Sequence, residues 1–391
     1  MTIVKFIYIT LKVITFFLLY VGGRNMALSK TDSQFWRCAL LPICAYTLNS
    51  GLRFGREIDY NTYAEEYRYW IQGASGISDF EPIWRLLIFI FGNILSLEWQ
   101  CLVIFMSFFL IFSGCLFLKN YKEVSMYAVP LFAFYVELAE NTMRWFVAFS
   151  FSLIALYFFL NFKIILKKRI IFLLFFFTLG FLTHYGFIIV EILLLFILFS
   201  KRVLFSPKLS IPIFCCCFIF SSPLFLGQYA ELLNQIDFLS GKFVMYTYNT
   251  EKWLTGEGAE EYTGMNISKV IYSLYVITLG YKVVLNNYKL VIPYNIVLLG
   301  TFSAPLLLKL EIGVRLNAVL IAFQFLIFAY IFNYVRLDKI RTHFVVKLLT
   351  FLIVFNMGRS QIMDSLEKTD SQLLYVWDRD GRDYLEIGKY Y

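Results

Sequence analysis

Apolar positions run through this chain in long unbroken blocks, without the alternation of a half-buried strand. The blocks fall at 2–21, 38–50, 99–118, 124–138, 144–162, 170–183, 185–200, 209–226, 267–285, 290–310, 316–335 and 344–356. Backbone groups in lipid need partners within their own segment, so continuous apolar runs read as membrane helices. A hydrocarbon core takes about 20 residues, and the shorter blocks must borrow flanking positions. A further block, 83–97, carries Arg85 near its start and reads as an interfacial or re-entrant helix, because a full crossing there inverts everything after it. Block 2–21 reads as a span and not as a cleaved signal, since no small-x-small site follows.

The polar positions between the blocks set the orientation. Lys119, Lys122, Lys163, Lys167, Lys168, Arg169, Lys201, Arg202, Lys208, Lys289, Arg336, Lys339 and Arg341 occupy connections that fall on one side, taken as cytoplasmic. This gives about twelve crossings with both termini outside, and 170–200 turning back near 180–186. The acidic residues concentrate on the opposite side, in segments 51–82 and 227–266 and in the tail 357–391. The expected organisation is one polytopic all-α domain over 1–356 and an outer-face tail over 357–391.

Composition agrees. Of 391 residues, 60% are hydrophobic and 16% charged, against roughly 25% charged in soluble domains. The net charge of +8 is then a topology signal, not a nucleic-acid footprint. Three of the seven cysteines, Cys215, Cys216 and Cys217, are adjacent within one apolar block, a spacing that suits packing and no metal. No CxxC, HExxH, P-loop or GxGxxG pattern is present, and no cofactor or metal is expected.

Candidate chemistry gathers at the ends of the blocks on the acidic side. Segment 51–82 carries Arg53, Arg56, Glu57, Asp59, Glu65, Glu66, Arg68, Asp79 and Glu81 among Tyr60, Tyr63, Tyr67, Tyr69 and Trp70. Rings stack on sugar faces, while guanidinium groups and carboxylates bind phosphates and hydroxyls. Arg144 follows Asn141 at a short turn, His184 sits where 170–200 folds back, and Arg315 lies between two blocks. Each has a plain reading as well. An arginine at a helix end snorkels to the interface, a membrane histidine bonds a neighbouring helix, Asp59 caps a loop helix and Glu81-Pro82 starts one. Taken together, the set suits a substrate with a pyrophosphate, a sugar and a long lipid. Arg53, Arg56, Arg144 and Arg315 would hold the pyrophosphate, and Tyr60, Tyr63, Tyr67 and Trp70 the sugars. His184, Asp59 or Glu81 would take the proton from an attacking hydroxyl, His184 being favoured.

Several of these residues also carry a resemblance. Arg53…Asp59-Tyr60…Tyr63, Glu81-Pro82, Asn141…Arg144, Thr183-His184-Tyr185 and Arg315 occur in the order seen in the Wzy class of O-antigen and capsular polysaccharide polymerases, and the chain resembles the EpsG-like branch of that class. A departure is Trp145 after Arg144, where glutamine is common. The resemblance implies a GT-C-like, metal-independent membrane glycosyltransferase in a bacterial inner membrane with its site on the outer face. It implies an undecaprenyl-pyrophosphate-linked oligosaccharide as substrate, membrane lipid as surroundings and a chain-length regulator as a partner to seek. A flippase for the same lipid-linked sugars and an O-antigen-ligase-like transferase stay open. A flippase needs polar residues along a path through the membrane, whereas here they crowd the ends of the blocks.

Overall fold

The computed structural model describes residues 2–56, 58–72, 81–200, 202–221, 267–307, 311–336 and 344–378. Glu57, Asp79, Lys201, segment 227–266, Lys339, Arg341 and the tail after 378, all named above, lie outside the described residues. Within them the chain is helical, with one isolated antiparallel bridge between Arg53 and Tyr375. Among the described residues, seven helical stretches are long and apolar enough to cross a membrane: Ile3–Leu28, Trp99–Tyr135, Met143–Leu160, Ile267–Leu285, Tyr288–Leu307, Gly313–Arg336 and Phe344–Glu367. The protein is thus an all-α, polytopic membrane protein. Pro82–Ile94, Tyr185–Leu198 and Pro207–Phe220 are apolar but shorter. The sequence separates blocks 99–118 and 124–138, and here a 3₁₀ turn, Lys119–Val124, divides Trp99–Tyr135 at a kink on Tyr121.

The chain forms two compact units. The first comprises Met1–Glu191 and Phe332–Tyr391. It holds α1 (Ile3–Leu28), α2 (Asp32–Gly51), α3 (Ile58–Ile71), α4 (Pro82–Ile94), α5 (Trp99–Leu118), α6 (Ser125–Tyr135), α7 (Met143–Leu160), α8 (Leu166–Thr183) and the start of α9 (Ile188–Leu198). Local signals place the helix starts. Thr2 and Thr31 accept from the amides three residues on, Lys5 and Gln34. Glycine lets α1 approach its neighbours: a Cβ on Gly22 would strike Pro42 of α2, and one on Gly23 the Ser125 carbonyl at the start of α6.

α3 shows why ring spacing matters. Tyr60, Tyr63, Ala64 and Tyr67 recur at helical spacing and are all buried, packed with Trp84, Trp99 and Met143. The first unit closes with the end of α14 (Gln324–Arg336), with α15 (Phe344–Glu367), and with two short turns at Asp370–Leu373 and Val376–Asp378.

The second unit spans Ile192–Ile331. It contains the rest of α9, α10 (Pro207–Phe220), α11 (Ile267–Leu285), α12 (Val291–Leu307), α13 (Glu311–Ala322) and most of α14. Polar side chains pin this unit from inside. Asn317 of α13 donates to the Gly300 carbonyl of α12 at 2.7 Å and to Ser303 Oγ at 3.1 Å. A π-helical turn in α11, Val276–Gly280, presents the Ile277 carbonyl to the Tyr294 hydroxyl at 2.8 Å.

Candidate active site

The eight residues from Glu137 to Arg144, leading from α6 into the first turn of α7, organise one end of the first unit. Four of their polar side chains reach other elements. Glu137 accepts from Lys12 of α1 at 2.7 Å and from Gln361 of α15 at 2.7 Å. Glu140 Oε2 lies 3.9 Å from Arg56 Nη1, and its carbonyl takes a 3.5 Å contact from Arg53 Nη2. Asn141 Oδ1 accepts from the Asp59 amide at 3.0 Å and so fixes the first turn of α3. Arg144 donates from Nη1 to Glu81 Oε2 at 3.2 Å.

Arg53 and Arg56 turn inward, 2% and 1% exposed. The turn between them needs Gly55, which has φ 60°, a left-handed conformation that costs glycine nothing. Arg53 donates to the Ser50 carbonyl at 2.6 Å and also to Ser50 Oγ and Ser107 Oγ. Arg56 lies between two rings, its Cζ 4.7 Å from the Tyr8 centroid and 4.1 Å from that of Tyr375, and donates from Nε to the Leu374 carbonyl at 2.9 Å. The Leu374 carbonyl also accepts from the Phe54 amide, the Val376 amide donates to the Leu52 carbonyl, and the Tyr375 hydroxyl donates to Asn49 at 2.7 Å. The C-terminal segment thus closes over the arginine turn. Gln100 completes the support, donating to the Gly51 and Arg53 carbonyls and accepting from Tyr60 at 2.8 Å.

Beside this support stands the cluster with open chemistry. Glu81 precedes Pro82 and is the N-cap of α4, yet its side chain makes no capping bond. The carboxylate turns instead to Arg144, and its other oxygen takes the Tyr185 amide at 3.4 Å. Arg144 keeps a fifth of its side chain exposed, and its Cζ sits 5.1 Å from the Tyr63 ring and 5.9 Å from the Trp84 ring. His184 is the C-cap of α8 and meets Trp145 edge to face at 5.1 Å. Glu66, one turn along α3 from Tyr63, completes the group. Burial pushes its carboxyl up to about 7, against the pull of Arg144 and the Trp84 indole. Arg144, Glu81, Glu66, Asp59 and His184 therefore come from four separate stretches of chain to one region of one unit.

The other candidates are placed differently. Tyr60 and Tyr67 are buried, with the Tyr67 hydroxyl donating to the Leu97 carbonyl at 2.7 Å, while Trp70 is half-buried on the last turn of α3. Arg315 is half-buried on α13 of the second unit. Sequence reasoning listed Glu66 only among the charges of segment 51–82, and it assigned no role to Glu140, Gln100 or Tyr375. The one available signal was helical spacing, which sets Glu66 three positions from Tyr63.

The model of the EpsG family matches residues 36–364. The chain belongs to the EpsG family. No curated protein and no solved structure matches it. EpsG membership makes the chain a multi-pass membrane protein of the exopolysaccharide and O-antigen polymerase type, as the sequence resemblance implied. The whole Arg144–Glu81–Glu66–His184 cluster falls inside the region matched to EpsG, as does Arg315. Tyr8 and Tyr375, the two rings that hold Arg56, fall outside it.

Proposed function

We propose that this protein polymerises lipid-linked oligosaccharide repeat units, moving a growing glycan from undecaprenyl pyrophosphate to the next repeat unit at the outer face of the membrane. An acceptor hydroxyl attacks the anomeric carbon of the donor. A glycosidic C–O bond forms, the bond from that carbon to the pyrophosphate oxygen breaks, and the electron pair leaves with the lipid pyrophosphate. Charge grows on the leaving oxygens, and a partly exposed guanidinium already aimed by a carboxylate is suited to receive it. The observation that carries this reading is the Arg144–Glu81 pair, drawn from α7 and the start of α4 and open on one side. Arg144 is assigned to the pyrophosphate and Glu81 to its orientation. Arg53 and Arg56 are assigned to building the turn, because both side chains are almost fully buried against protein.

His184 is the base we favour for the acceptor proton, since the amide of the next residue is held by Glu81. Glu66, with its carboxyl raised to about 7, is the second candidate. Tyr69 and Tyr185, 52% and 37% exposed, join Trp70 as surfaces for sugar rings.

The test is purified protein with lipid-linked repeat units, read as a ladder on a gel. Arg144→Ala should cut polymerisation by about two orders of magnitude, with Arg144→Lys recovering little, since lysine lacks the planar fork. His184→Gln should slow turnover and shift its pH profile while donor still binds. Normal ladders from Arg144→Ala at normal expression would sink the assignment.

A further inference from the structure

The first unit holds a second feature, apart from the Arg144 cluster. A cavity of about 980 Å³ opens between α1, α6, the last turn of α14 and α15. Its walls are mostly aliphatic and aromatic, and its two ends are marked by different contacts. At one end Lys12 and Gln361 meet on Glu137. At the other, Arg336 lies over the Tyr127 ring at 5.8 Å. α1 and α6 run in opposite directions past it, with Gly23 against Ser125 at one end and Lys12 on Glu137 at the other.

Along α15 the lining runs from Lys347 to Arg359 and beyond. Twelve positions at about 1.5 Å each make roughly 18 Å, near the roughly 15 Å depth of one leaflet's hydrocarbon. α15 is fastened in its C-terminal half, where the Leu366 carbonyl accepts from Lys5 Nζ at 2.7 Å. Its N-terminal half leaves Phe344 and Phe351 largely exposed. A Cβ on Gly358 would meet nothing within 4 Å, so the groove is open there.

Charge says what fills it. Among the described residues, Lys12, Arg336, Lys347 and Arg359 line the cavity and no acidic residue does. Lys12 is paired with Glu137, and Arg336 and Arg359 keep the lining basic. Arg336 and Lys347 share the end that also carries Tyr20 and Tyr127, the tyrosines that mark headgroup level in a membrane protein. Any hydrocarbon chain fills an apolar groove, but basic residues between membrane helices select an anionic headgroup.

We propose that this cavity is a resident site for an anionic glycerophospholipid. Its phosphate sits at Arg336 and Lys347, and an acyl chain lies along α15 toward Arg359. The polyprenyl chain of a sugar donor is the poorer fit. Its phosphate must reach Arg144, and the segment leading there starts at Glu137, at the opposite end of the cavity.

The experiment is native mass spectrometry of the intact purified protein, titrated with phosphatidylglycerol, phosphatidylcholine or undecaprenyl phosphate, with thermal unfolding followed in parallel. Phosphatidylglycerol should be retained at least tenfold more tightly than phosphatidylcholine. The double variant Arg336→Ala, Lys347→Ala should lose that preference. Gly358→Phe should fill the chain path and lower retention tenfold while unfolding at the parent temperature, and it carries the test if the charge variant fails to fold. Equal retention of the two phospholipids, an unchanged preference in the charge variant, or an unaffected Gly358→Phe would each overturn the site. So would tighter binding of undecaprenyl phosphate that depends on the same two cations, which would make the cavity a substrate channel.

Discussion

Glu66 is the residue whose behaviour the sequence least foretold. In the chain it is one acid among several; in the fold it faces Trp84 and Arg144 from the buried side of α3. Its carboxyl is raised from 4.5 to about 7, so the folded protein holds a proton there that the unfolded chain has released. Where the native state binds more protons, stability falls as pH rises. The loss should run from about 4.5 to about 7 and then level off. Glu66→Gln removes the titration, so its melting temperature should vary less over that interval than the parent's. Parallel curves for the two proteins would show that Glu66 ionises normally. Arg144, Glu81 and His184 were legible because arginine, histidine and Glu-Pro at the ends of apolar blocks stand out. Tyr60 and Tyr67 read as ring platforms because they sit among charges, although their spacing of seven places both on the face of α3 that packs inward.

At the scale of elements, the sequence reading caught the helices well wherever apolar blocks were bounded by charge. α5 begins and ends at 99 and 118 as read. The block at 83–97 was read as interfacial or re-entrant because a full crossing would invert everything after it, and α4 is among the shorter apolar helices. The C-terminal turns were illegible, because nothing local in Leu374-Tyr375-Val376 announces pairing with a segment more than three hundred positions away. Tyr375 is 1% exposed and lies on both Arg56 and Tyr8. Tyr375→Ala should therefore lower unfolding free energy by about 3 kcal/mol, as truncating a buried aromatic does. Tyr375→Phe keeps the ring and should cost about 1 kcal/mol, for the hydrogen bond to Asn49 alone. Denaturant or thermal unfolding in detergent measures both, and equal losses from the two variants would mean the ring contributes nothing.

For the whole molecule, the hydropathy pattern sufficed to recognise a polytopic helical protein, and the lysine and arginine asymmetry supplies an orientation that folded coordinates do not carry. Cysteines introduced at Ser206 and Ser371 test it directly: an impermeant maleimide should label the second from outside and the first only after permeabilisation. Labelling of both from outside would overturn the twelve-span topology. The tail contact has a temporal consequence as well. Arg56 and Leu374 are 318 positions apart, and synthesis at about 5–20 residues per second separates them by roughly 16–64 s. Through that interval the arginine turn exists in the membrane without its cover. Premature termination between the last apolar block and Leu374 leaves every apolar block in place and this one guanidinium uncovered. A chain cut short at its end is thus marked at its beginning, where Arg56 loses the Leu374 carbonyl and the Tyr375 ring.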